Sequence, residues 1–242
     1  MGTSYNPRIV TDGLVFCVDA ANKRSYPGAG TTWTDLTANK NNGTFTNMTS
    51  SNFNAGNAGS LTFDGGNEYV NFGPTNDIVG NNPAAISLSA WFKTDNNSQM
   101  FYIASLKRFS SLSTLVSITV NQATTNNLAA NYLGFLYDVG SSPDHQWLTV
   151  NSSAFYGRWN QITATVDVNA ATLYLNGVQA GQNTTNTFAG PSRSDPSADF
   201  TIGAFGTSLF ADANISQVHV YNRVLSASEV QQNYLATKGR YQ

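Results

Sequence analysis

Four segments in fixed order along the 242 residues restrict this chain to an all-β fold: Leu61-Thr-Phe-Asp-Gly-Gly-Asn-Glu-Tyr-Val-Asn-Phe72, Ser87-Leu-Ser-Ala-Trp-Phe-Lys93, Thr172-Leu-Tyr-Leu-Asn-Gly-Val178 and Val218-His-Val-Tyr-Asn-Arg-Val-Leu-Ser-Ala-Ser-Glu-Val230. In the first three, apolar side chains recur at every second position, the period that turns one face of a strand to a core and the other to water. The fourth is a strand running into a helix. Ser226 and Glu229 stand there at the spacing of a capping box, with the helix expected from about Ala227 to before Gly239. Together these segments describe a β-sandwich.

Further strands are expected over residues 13–19, 100–105, 113–120, 133–138, 146–150, 159–168, 200–203 and 215–221, each rich in β-branched or aromatic residues. Asn176-Gly177, between the alternating stretches 172–175 and 178–181, is the dipeptide of a two-residue hairpin turn, because both turn positions take positive φ. Residues 33–45 read as a polar surface excursion, 47–60 as an exposed loop, the stretch after Phe72 as a loop broken by Pro74, Gly80 and Pro83, and 184–198 as a loop with little that packs. Residues 1–12 read as an extended arm ahead of a single domain over 13–242, since neither a repeat nor a charged or proline-rich linker divides the chain.

Charged residues make up 11% of the chain, against about 25% in an average soluble domain. Asn, Thr, Ser and Gly take over the solvation, which suits packing against another polar surface, a glycan or a neighbouring subunit. A net charge of −2 and the absence of any Lys/Arg run exclude a nucleic-acid partner, whose phosphates demand clustered cations. The dipeptides Lys23-Arg24 and Lys107-Arg108 are expected to decorate loops. Cys17 is alone, so no intrachain disulfide forms, and its alternation with Phe16 and Val18 marks an ordinary strand thiol. The N-terminus has neither a basic nor an apolar signal region, and no stretch approaches the ~18 apolar residues of a membrane span, so a soluble chain without a secretory signal is expected.

Six motifs in order, at 13–20, 63–70, 87–91, 159–162, 173–177 and 215–230, resemble the laminin-G-like, concanavalin-A-like jelly-roll family. The resemblance implies a two-sheet antiparallel jelly-roll β-sandwich with one short C-terminal helix, in a family of binding and surface modules that only occasionally carry catalysis. Residues 17–36 and 232–241 are similar to versions of this module in structural proteins of tailed bacteriophages, marine and cyanobacterial ones especially. That similarity implies a capsid-decoration or tail- and fibre-associated protein, made in the host cytoplasm and placed on the virion surface, with other virion proteins and self-association as its contacts. Residues 1–12 and 238–242 are the candidate docking segments. A bacterial surface or secreted location is the alternative.

The family often binds calcium, which takes about six to eight oxygen ligands. The resemblance makes Asp19 and Asp64 the candidate metal ligands here, but Ser216-Gln217 stands where relatives carry Asp-Glu. Calcium is thus an optional ligand, and no cofactor is required. Relatives that hydrolyse glycans use two carboxylates flanking the scissile bond. This chain holds only Glu68 and Glu229, one in a hairpin and one in a helix cap, while Asp138, Asp144 and Asp167 are read as solvated turn acceptors. No Gly-x-Ser-x-Gly elbow or His/Asp metal cluster is present, so no enzymatic activity is expected.

Sugar recognition needs ring faces beside a few planar polar groups. Trp91, Tyr102, Tyr137, Asp144, His145 and Trp147 are the candidates to supply them. The expected function is a non-catalytic virion surface module with capacity for host or environmental glycans. A stand-alone carbohydrate-binding, lectin-like module of a cellular protein is the alternative, and a glycoside hydrolase of this fold comes third.

Overall fold

The computed structural model describes residues 7–56, 58–81, 83–107, 114–124, 127–139, 145–151, 153–185, 188 and 198–242, with the backbone alone at 122–124, 127–130 and 145. In chain order the elements are β1 (Leu14–Asp19), β2 (Thr32–Trp33), β3 (Gly43–Thr46), β4 (Phe53–Asn54), β5 (Ser60–Asp64), β6 (Tyr69–Pro74), α1 (Thr75–Val79), β7 (Ile86–Lys93), β8 (Phe101–Lys107) and β9 (Thr114–Thr124). They continue with β10 (Asn127–Asp138), β11 (His145–Asn151), β12 (Asn160–Val166), β13 (Ala171–Leu175), β14 (Val178–Asn183), β15 (Asp199–Ile202), β16 (Asp212–Tyr221) and α2 (Ala227–Thr237). No helix among the described residues is long and apolar enough to cross a membrane.

Two antiparallel sheets of eight strands each form the sandwich. The first runs β14-β13-β12-β7-β16-β5-β4, with β1 also beside β16; the second runs β11-β10-β9-β8-β15-β6-β3-β2. On β7 the inward set is Ile86, Leu88, Ala90 and Phe92, as the alternation requires. Ala90 lies opposite Ile162 of β12 and Val218 of β16. A slip of one residue would turn the whole set outward, so burial pins this register. An irregularity between Ile215 and Gln217 shifts the parity of β16, which keeps both Ile215 and the pair Val218 and Val220 in the core. The second sheet answers with Val70, Phe72, Ile103, Ile118, Phe135, Phe200 and Ile202. Phe16 stands edge-on to Phe72 and Phe200 at 4.9 and 5.0 Å, the geometry that ring quadrupoles favour. Complete burial of each such ring is worth about 2–3 kcal/mol.

Several expected surface segments belong to the core instead. Within the expected excursion 33–45, Trp33 and Phe45 are buried, as are Tyr26 and Met48 on either side of it. The buried Asp35 ties this excursion down, accepting from the backbone N–H groups of Cys17 and Thr37 at 3.0 Å each and of Asn41 at 3.1 Å. The loop after Phe72 holds the short helix α1, whose Ile78 and Val79 are buried. Residues 47–60 contain β4 and a one-turn 3-10 helix capped by Thr49. Most of 184–198 lies outside the described residues, yet Phe188 within it is fully buried. Asp138, expected in a solvated turn, is buried at the end of β10, whereas Asp167 does accept turn N–H groups, from Asn169 and Ala170.

The outer face of the first sheet is covered by its own C-terminus. Helix α2 carries the expected capping box: Ser226 accepts from the backbone of Glu229, and the Glu229 carboxylate accepts from the backbone of Ser226. Val230 and Leu225 pack with Tyr174 and Tyr221 of that face. Residues 7–12 lie alongside: Val10 is buried, its N–H donating to Asn233 Oδ1 at 2.7 Å and its carbonyl accepting from Tyr221 Oη at 3.0 Å. Beyond α2 the tail folds back, with Tyr241 buried against β7 and its hydroxyl donating to Ser216 Oγ at 2.9 Å. Arg240 and Tyr241 of the candidate docking segment are therefore held against the domain's own surface, while Gly239 and Gln242 stay exposed.

Candidate functional site

Strand β15 lies between β8 and β6, so Thr201 is opposite both Ser105 and Asn71. That register gathers outward side chains of three strands on the outer face of the second sheet: Lys107 from β8, Asp199 and Thr201 from β15, and Tyr69 and Asn71 from β6. With Gly206 and Thr207 they enclose a hollow of about 260 Å³. Asn71 Nδ2 donates to Asp199 Oδ2 at 2.7 Å, which fixes the carboxylate. The Lys107 ammonium stands 5.6 Å from the centroid of the Phe205 ring, inside the range of a cation–π contact. A Cβ on Gly206 would come within 3.0 Å of Lys107 Nζ. Tyr69 pairs with Phe210 at 6.2 Å. One concavity thus holds a ring, a fixed carboxylate, an ammonium and the exposed Thr207 hydroxyl, while the Thr201 hydroxyl is buried and donates to the Ala204 carbonyl at 2.8 Å.

Beside it, Phe205 joins Tyr102 and Leu136 in a small apolar cluster on the same face, with Met100 and Trp147 packed against it. Tyr102 and Phe205 lie 4.7 Å apart. Tyr102 and Trp147, two of the residues expected to meet a sugar, are thereby brought together beside the hollow, Tyr102 buried at 4% exposure and Trp147 partly exposed.

The other expected residues are placed elsewhere. Trp91 is no open platform: it is 3% exposed, its ring stacks on Tyr241 at 3.9 Å and on Tyr234 at 5.7 Å, and its Nε1 donates to Thr237 Oγ1. Tyr137 faces the interior, fully buried and stacked on Phe135 at 5.2 Å. His145 pairs through its backbone with Asp138, and Asp144 lies outside the described residues. Tyr69, Asn71, Lys107, Asp199 and Thr201 are the residues that sequence reasoning missed. Alternation marks Tyr69, Asn71, Asp199 and Thr201 as outward, but nothing local shows that they share a hollow.

Asp19 and Asp64, the candidate metal ligands, are each engaged by protein groups. The Asp19 carboxylate pairs with Arg240 at 3.0 Å and accepts from Gln217 Nε2 at 2.7 Å and from the Ala21 N–H. Asp64 accepts from Gly66 N in its turn and pairs across the sheet with Asp212, five positions along β16 from the partner of Asp19. Among the described residues no group of three or more His, Cys, Asp or Glu side chains is placed to hold a metal ion.

A second, larger crevice of about 410 Å³ lies between residues 93–98 and the strands β5 and β16. Its carboxylates, Asp95 and Asp212, are both exposed, and Asp212 accepts from Asn96 Nδ2. The two glutamates serve structure. Glu68 accepts from Asn52 Nδ2 and from the Asp64 N–H, and Glu229 closes the helix cap and binds Arg223 in a fork, at 2.6 and 3.0 Å. His219 and Cys17 face each other across β16 and β1. Burial pushes the Cys17 thiol up to about 12, so it is inert rather than nucleophilic.

The profile of a family described as the concanavalin A-like lectin/glucanases superfamily matches residues 64–231. No curated protein sequence matches the chain. Among solved structures, the fold is similar to Trypanosoma rangeli sialidase in complex with sialic acid, with a TM-score of 0.67 and 15% identity over 98% of this chain and 36% of that one. It is also similar to the binding domain of botulinum neurotoxin serotype D/C, with a TM-score of 0.62 and 16% identity over 92% of this chain and 52% of that one. A third is botulinum neurotoxin type C, whose cell entry depends on interaction with two ganglioside molecules, with a TM-score of 0.63 and 15% identity over 92% of this chain and 51% of that one. This chain spans between about a third and a half of those chains, and at such identities the likeness is one of fold. With the profile, the ordered motifs and the two-sheet sandwich in agreement, the chain belongs to the concanavalin A-like lectin/glucanases superfamily.

Proposed function

We propose that this chain is a non-catalytic glycan-binding module carried on the surface of a virion. The observation that carries the glycan part is the hollow of Tyr69, Asn71, Lys107, Asp199 and Thr201, which combines a ring with polar groups at fixed positions. Sugar hydroxyls take hydrogen bonds from the ammonium and give them to the carboxylate, while a C–H face rests on the ring. Binding of gangliosides by a toxin of similar fold supports the same reading. Most glycoside hydrolases use two carboxylates flanking the bond. Among the described residues this hollow contains one, Asp199, and it is held by Asn71.

The virion setting rests on the similarity of residues 17–36 and 232–241 to tailed-phage structural proteins, and it makes other capsid or tail proteins the partners. Cryo-electron microscopy of assembled particles tests it; particles that lack this sandwich on capsid and tail refute it. A glycan array with the intact protein, Asp199→Ala and Lys107→Ala, in calcium and in chelator, tests the site. A charge-assisted hydrogen bond contributes ~1.5–3 kcal/mol, so each variant should bind at least about tenfold more weakly with its melting temperature retained. Array profiles unchanged in both variants, or sugar released from the array, would refute the reading.

A further inference from the structure

A separate hollow of about 360 Å³ opens where the loop after β1, the segment around β4 and the C-terminal tail meet. Its chemistry is the reverse of the glycan hollow. Tyr26, Pro27, Phe53 and Ala58 line it with apolar surface. The rings of Tyr26 and Phe53 meet edge to face at 5.3 Å, and the Tyr26 hydroxyl is committed to the Gly30 carbonyl at 3.0 Å. Few groups remain to satisfy the hydroxyls of a neutral sugar.

The polar groups that do line the hollow are cationic, Lys23 and Arg240. Arg240 is paired with Asp19 at 3.0 Å, whereas Lys23 is exposed and has no ion-pair partner among the described residues. The balance over these three groups is one positive charge. The walls are held in an unusual conformation: Ala58 has φ 58°, a left-handed backbone seldom adopted by a residue with a Cβ. At Gly59, φ +64°, a Cβ would lie 2.5 Å from the Ala21 Cβ, so only glycine lets the two segments touch. Ser216 Oγ holds the Gly59 carbonyl at 2.8 Å. Strained backbone of this kind persists where surrounding contacts enforce it, and it gathers at ligand clamps.

We propose that this hollow binds a small aromatic carboxylate, with the ring against Phe53 and Pro27, over the buried Tyr26, and the carboxylate facing Lys23. The volume suits one ring with a short acidic side chain, within the range of small-molecule sites. Because Arg240 belongs to the tail, the site is complete only while Tyr241 is stacked on Trp91.

The test titrates the full chain with 3-phenylpropionate, its neutral amide and methyl glucoside, following backbone amide resonances by NMR. The acid should give saturable shifts confined to residues near 21–27, 53–59 and 240, with the amide binding about fivefold more weakly, as expected for one exposed charge pair. Lys23→Ala, a surface change that does not endanger folding, should weaken the acid to the level of the amide and leave the amide unaffected. Phe53→Ala should weaken both. Equal binding of acid and amide, no saturation, shifts confined to other residues, tighter binding of the glucoside at this hollow, or full acid affinity in Lys23→Ala would each overturn the proposal.

Discussion

Acid should destabilise this protein through one buried histidine. His219 lies on β16 opposite Cys17 of β1 and Ser89 of β7, on the face covered by α2 and the tail, and it is 2% exposed. Burial lowers its pKa from 6.5 to about 4, with the Asp19 carboxylate opposing and the Arg240 cation reinforcing the change. Cys17, pushed up to about 12 chiefly by burial, stays uncharged opposite it, and the Tyr221 ring stands edge-on to the imidazole at 6.5 Å. The unfolded chain takes up a proton near pH 6.5, while the folded chain resists until about pH 4. Stability supplied by the neutral imidazole is therefore complete above pH 6.5 and is lost as pH falls toward 4. At 1.36 kcal/mol per pH unit the full loss is about 3 kcal/mol, of which about 2.5 is gone by roughly pH 4.5. Against a typical total of ~5–15 kcal/mol this is a large share.

The perturbation is His219→Gln, which keeps a polar side chain of similar size and cannot titrate. Urea unfolding followed by tryptophan fluorescence, between about pH 7.5 and 4.5, reads the effect through linkage. The parent should lose about 2.5 kcal/mol more than the variant over that interval. If acid lifts only the tail, the loss is capped at the cost of undocking it, and amide exchange would show opening confined to 237–242 and β7. Parallel pH profiles for the two proteins, or a folded-state imidazole that titrates near pH 6.5, would refute the reasoning.

Two further outcomes are expected. Glu229 is held down to about 2, first by its hydrogen bonds to Arg223 and then by Ser226, so its contribution is present above pH 4.5 and lost as pH falls toward 2. Its side chain is 28% exposed; water screens the pair, and Glu229→Gln should cost about 1 kcal/mol at neutral pH and nothing near pH 2 in the same urea assay. Gly177 takes φ +80° in the hairpin turn, where a Cβ would lie 3.1 Å from the Tyr234 ring. Gly177→Ala should cost about 1–2 kcal/mol by thermal unfolding, and an unchanged melting temperature would contradict that turn.

The residues legible in the sequence are those governed by local rules. Alternation follows from the strand backbone itself, so Leu88, Ala90 and Phe92 read as inward without any knowledge of their partners, and they are inward. Asn176-Gly177 reads as a turn because both positions take positive φ, at 52° and 80°. Ser226 and Glu229 read as a cap because three residues separate them. Parity was less legible where strands are irregular. Phe135 and Tyr137 share the inward face of β10 while Leu136 points out with Tyr102, an assignment set by pairing Leu136 with Ser117 of β9.

By itself the sequence determined the alternating strands, the hairpin and the capped helix, because each follows from residues near one another in the chain, and its ordered motifs supplied the sandwich through their resemblance to a known family. Only the tertiary structure decided what happens to the outward faces. Trp91 and His219 point away from the core, yet both are buried, because α2 and the tail return to cover them. The candidate glycan hollow arises in the same way: Asn71 meets Asp199 across 128 residues, brought together by β15 inserting between β6 and β8. Outward position is a property of a strand, whereas exposure and neighbourhood belong to whatever the rest of the chain places against it.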